Sequence, residues 1–98
     1  MVLEHAILKL DPARISESDE TLAGAIHLIR SSPGCRSVRL TRSLELPGTY
    51  VLLIEWDNLE DHTVGFRGSE VFATWRATIS PLFTGDPVVD HLEVVATA

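Results

Sequence analysis

Two histidines, an arginine and three aromatic rings are the residues of this 98-residue chain best placed to do chemistry. His62 precedes Phe66 by one helical turn, and Arg76 lies one turn beyond Phe72 and beside Trp75. Residues so spaced share a helix face, giving aromatic walls tipped by an imidazole and a guanidinium. Such a pocket suits a phenol, a quinone or an enolate, because an imidazole titrates near neutrality and serves as a general base. His5, a polar residue in the otherwise apolar run of VLEHAILKL, is the second candidate base. The plainer alternative treats Phe66, Phe72 and Trp75 as core, His62 and Arg76 as its solvated rim, and His5 as a half-buried histidine bonded to a neighbour.

Other constellations are weaker. His5, His62 and His91 invite a zinc or iron site, but no two share an HxH or HxxxH spacing, so no metal is expected. Glu55 and Asp57 could form an acid-base pair, against the simpler roles of ion pairing and helix capping. Arg36, Arg39 and Arg42 alternate across two faces of a strand and read as a salt-bridged surface. Cys35, the single cysteine, permits no intrachain disulfide and reads as a structural thiol. No glycine-rich phosphate loop is present, and no cofactor is expected.

The elements that must position these residues follow from periodicity. Residues 2–10 read as a strand ended by Asp11 and Pro12, with Leu3, His5, Ile7 and Lys9 on one face and Val2, Glu4, Ala6, Leu8 and Leu10 on the other. From Ser16 or Ser18 the period becomes helical through Leu22, Ala25, Ile26 and Ile29, with Ser16, Ser18, Asp19 and Glu20 suited to the cap and first turn, and Pro33 and Gly34 close it. Residues 35–43 and 49–57 form a hairpin around Leu46, Pro47 and Gly48. Short helices are predicted over about 59–66 and 70–79, and a last strand over 88–95.

The order β-α-β-β-α-β specifies an α+β, ferredoxin-like fold: a four-stranded antiparallel sheet with both helices on one face. Its other face is apolar and uncovered, so a sheet-to-sheet homodimer is expected. One domain spanning 1–98 fits the length. A net charge of -6 disfavours nucleic acid and anionic membranes, and the N-terminus lacks signal-peptide character, so a cytoplasmic protein is expected.

The segments MVLEHAILKL, PGCRSVRLTRSLELPGTYVLLIEW, LEDHTVGFRGSEVFATWR and PVVDHLE together resemble the antibiotic-biosynthesis-monooxygenase-like family of dimeric α+β barrels over the full length. The resemblance implies a strand face that turns His5 toward the helices, within reach of residues 62–76. His5, His62 and Arg76 would then be catalytic, with Phe66, Phe72 and Trp75 binding a small hydrophobic or aromatic ligand. Haem-degrading relatives use an asparagine on the first strand and a tryptophan and a histidine in the last helical segment. Those positions hold His5, Phe66 and Arg76 here, so haem chemistry is not implied. Two functions follow from the resemblance: a cofactor-independent monooxygenase acting on a phenolic or polyketide-like substrate, or a non-catalytic homodimer that binds a small ligand or serves in stress response.

Overall fold

The computed structural model describes residues 1–98. Its strands are β1 (Val2–Lys9), β2 (Cys35–Arg42), β3 (Thr49–Trp56) and β4 (Val88–Leu92), with helices α1 (Ile15–Arg30) and α2 (Glu70–Ile79). The sheet runs β2-β3-β1-β4 and every pairing is antiparallel. This is the α+β ferredoxin-like arrangement that the element order predicts.

Alternation decides which strand residues meet the helices. Glu4, Ala6 and Leu8 of β1 are buried, as are Tyr50, Leu52, Ile54 and Trp56 of β3. The intervening Leu3, His5, Ile7, Val51 and Leu53 are only half-buried and share the open face. Against the buried face pack Leu22, Ala25 and Ile29 of α1 and Trp75 and Ile79 of α2, within one core of 15 apolar residues. The register sets Glu4 opposite Ile54 on one side and His91 on the other.

The start of α1 differs from expectation. A 3₁₀ turn, Pro12–Arg14, is capped by the Asp11 carboxylate and leads straight into Ile15, so Ser16, Ser18 and Asp19 lie inside the helix rather than at its cap. Asp19 instead accepts from the Tyr50 hydroxyl at 2.6 Å and pairs with Arg42. Ser18 continues the buried stripe one turn before Leu22, and its Oγ has no hydrogen-bond partner. An unpaired buried hydroxyl is unfavourable and alanine is the better helix former, so Ser18→Ala should stabilise the fold by about 1 kcal/mol in urea denaturation. β4 stops at Leu92, three residues short of expectation, because its partner strand runs out: Leu92 already faces Leu3, one residue from the start of β1.

A buried carboxylate and two histidines at one end of the sheet

At the end of the sheet where β1 begins, β3 ends with Trp56 and β4 ends with Leu92. The chain after β3 then winds as a π-helix, Asp61–Phe66. Asn58 Oδ1 accepts from the Asp61 amide at 3.0 Å, and the Arg67 amide donates five residues back to the His62 carbonyl at 3.1 Å. This wide turn, a form often found at functional sites, swings His62 and Phe66 together onto the sheet. Gly34, at φ 83°, lies so close to the Asp61 carboxylate that any side chain there would collide with it. The loop before β2 thus braces the π turn.

His62 stacks on Trp56 with ring centroids 5.4 Å apart and packs near Phe66 at 6.1 Å. Phe66 in turn meets Phe72 edge-on at 5.3 Å. Inside this aromatic box lies Glu4, only 5% exposed, whose Oε1 accepts from Trp56 Nε1 at 2.9 Å. His62 Nε2 comes within 3.3 Å of the same oxygen, and its Nδ1 is hydrogen-bonded to His91 Nε2 at 2.7 Å. Glu4, His62 and His91 thus lie in a row, with a hydrogen bond between the two histidines and a close contact between His62 and Glu4.

Burial sets the protonation of this row. It raises the Glu4 pKa above its ordinary 4.5, although the Trp56 N–H and the Arg67 charge favour the carboxylate. His62 is pushed down to about 4, chiefly by burial and further by Arg67 and His91, so it is neutral at pH 7. When Glu4 is ionised, the favoured His62 tautomer carries its proton on Nε2, against the carboxylate. The bare Nδ1 then accepts from the Nε2–H of His91. Nδ1 of His91 makes no hydrogen bond within the chain, and His91 lines an open cleft of about 410 Å³.

The sequence-predicted residues separate into groups. His62, Phe66 and Phe72 come together, and Trp75 is buried in the core. His5 does not join them. Ala6, Leu8 and the other residues of Glu4's parity point into the core, which puts His5 on the open face, opposite Leu53 and Asp90. The expected pocket shared by His5 and His62 is therefore not formed, and His5, His62 and His91 do not converge. Arg76 is also displaced: it is exposed, with its guanidinium 5.8 Å from the Phe83 ring. Asp57 pairs with Arg36 on the surface rather than with Glu55. Glu4 and Trp56 were not anticipated as site residues, although Glu4's parity with Ala6 and Leu8 was a readable signal of burial.

Residues 1–78 match the family model for antibiotic biosynthesis monooxygenases. The chain belongs to the antibiotic biosynthesis monooxygenase family. Among its relatives, the uncharacterized YczJ of Bacillus subtilis is 35% identical over 95 residues, covering 97% of this chain and 100% of that one. A Bordetella bronchiseptica protein of the same family name superposes with a TM-score of 0.91 at 33% identity, covering 97% of each chain. Another, from Caulobacter crescentus CB15, gives 0.82 at 26% identity over 97% of this chain and 90% of that one. The match to this monooxygenase family takes in Glu4, Trp56 and His62 and ends before His91.

Proposed function

We propose that this protein is a cofactor-independent monooxygenase acting on a phenolic, enolic or polyketide-like aromatic substrate. Family membership supports monooxygenase chemistry, and the buried chain of Glu4, His62 and His91 is the observation that carries the mechanism. The substrate O–H gives its proton to Nδ1 of His91. The Nε2 proton of His91 passes to Nδ1 of His62, and the Nε2 proton of His62 passes to the Glu4 carboxylate. Each imidazole gains one proton and loses one, so neither becomes a buried cation, and the negative charge moves from Glu4 to the substrate. A raised Glu4 pKa makes that carboxylate the better acceptor.

The electron-rich substrate anion then reduces dioxygen itself. One oxygen atom ends as a carbonyl on the reacting ring carbon, and the other leaves as water with that carbon's hydrogen and the proton that the relay took from the substrate O–H. His91 is the residue that touches substrate, while His62 and Glu4 act through it. Walls of Trp56 and Phe66 keep water from levelling the relay.

Oxygen uptake measures this directly. With a panel of hydroquinones, naphthols and anthrones, and no added flavin, haem or metal, the purified protein should consume oxygen. Glu4→Gln, which can accept no proton, should lower kcat by about 100-fold and alter its pH profile while leaving KM nearly unchanged. An absorbance scan should show neither a Soret nor a flavin band. Uptake that depends on added flavin or metal, or a Glu4→Gln variant with full activity, contradicts the proposal.

The working unit in this account is a homodimer of single-domain chains spanning residues 1–98. Leu3, Ile7, Val51 and Leu53 give the open sheet face an apolar centre, flanked by exposed Val88 and Leu92 on β4. Burial of such a face is worth roughly 25 cal/mol per Å². Light scattering should return twice the 10.8 kDa chain mass. A persistent monomer would remove the dimer from the account.

A further inference from the structure

We propose that the cleft at the end of the sheet is the ligand site of this relay, and that it takes an uncharged hydroxyaromatic molecule and rejects its anionic analogues. The inference rests on the proton path above and adds where the ligand sits and which charge it carries. Three chain segments converge there: the first residues of β1, the loop after β3 and the end of β4. The cleft, about 410 Å³, lies within the size range of small-molecule pockets.

Its walls are Met1, Val2, Leu59 and Leu92, an apolar set suited to ring faces. Asn58 and His91 supply the polar groups able to hold and deprotonate a hydroxyl. His62 is 2% exposed and lines neither of the two clefts on the chain, so a proton entering the relay must arrive through His91. The only charged side chains lining this cleft are Asp57 and Glu93. Asp57 is partly neutralised by Arg36, whereas Glu93 makes no ion pair. No lysine or arginine lines the cleft, and the Met1 α-ammonium is the one cationic group set against Asp57 and Glu93, so a carboxylate or phosphate ester entering it meets a net negative lining.

Two probes of one shape separate the alternatives: 2-naphthol, uncharged at pH 7, and 2-naphthoate. In an NMR titration of the full chain, 2-naphthol should shift the signals of His91, residues 57–59 and residues 92–93. Naphthoate should bind at least about tenfold more weakly, and Glu93→Lys should narrow that gap. Leu59→Trp, which fills the cleft from an exposed position, should weaken 2-naphthol binding at least about tenfold with Tm and the His62 signals unchanged. Shifts confined to the other cleft, around Ile26, Arg30 and Arg36, or to the open sheet face would overturn the assignment. So would equal affinity for the two probes, or a Leu59→Trp variant that binds normally. Binding in the cleft without oxygen uptake by any substrate would keep the site and remove the monooxygenase reading. Uptake that survives Leu59→Trp would keep that reading and remove the site.

Discussion

Replacing Glu4 by alanine should lower stability by about 3 kcal/mol, a fall in Tm of about 15 °C for a domain of this size. The carboxylate is unfavourable to bury, yet its removal is worse. It strands the indole N–H of Trp56, which is fully buried, and takes away the oxygen that lies beside His62 Nε2. It also leaves a void among large rings that cannot collapse freely. Glu4→Gln separates these effects, because its amide oxygen still accepts from Trp56 and its volume is preserved. That variant should stay within about 1 kcal/mol of the parent in chemical denaturation. An alanine variant as stable as the parent would mean that the carboxylate holds nothing in place.

Lowering the pH from 7 to 4 should cost the parent protein on the order of 3 kcal/mol more than it costs His62→Gln. His62 titrates at about 4 in the folded chain against an ordinary 6.5, so between those values the unfolded chain binds the extra proton. Its contribution to stability is present above pH 6.5 and is lost as the pH falls toward 4. The groups around it are Glu4 from β1, His91 from β4 and Arg67 just after the π turn. Glu4 works in the opposite direction: its folded pKa is raised, so it subtracts stability as the pH rises from its ordinary 4.5 through the folded value. Because both proteins retain Glu4, the difference between their urea-midpoint profiles isolates His62 to first order. Parallel profiles would show that His62 is not buried and neutral.

The elements of the fold were legible because each carries its own period. β1 alternates, α1 repeats its apolar stripe at Leu22, Ala25 and Ile29, and the hairpin is marked by Pro47 and Gly48. The site was harder to read, since it depends on which face of β1 turns inward and on a register between strands far apart in sequence. Ala6, Leu8 and Leu10 turn inward rather than Leu3 and Ile7, because the Leu3 and Ile7 face would also bury the His5 imidazole and the Lys9 ammonium. The same choice forces Glu4 inside, where the Trp56 N–H and the Arg67 charge offset part of the burial. The pairing of Glu4 with His91 arises only when β4 docks beside β1, and no local pattern announces it. The π winding of Asp61–Phe66 likewise leaves no periodic trace in six residues.

Imidazole ¹⁵N NMR across a pH titration reads out the relay at its middle member, a neutral His62 between Glu4 and His91. His62 should carry its proton on Nε2 at pH 7 and titrate at about 4, with a coupling across the 2.7 Å contact from His91 Nε2 to His62 Nδ1. A His62 signal that titrates near 6.5, or that carries its proton on Nδ1 while Glu4 is ionised, would contradict the relay.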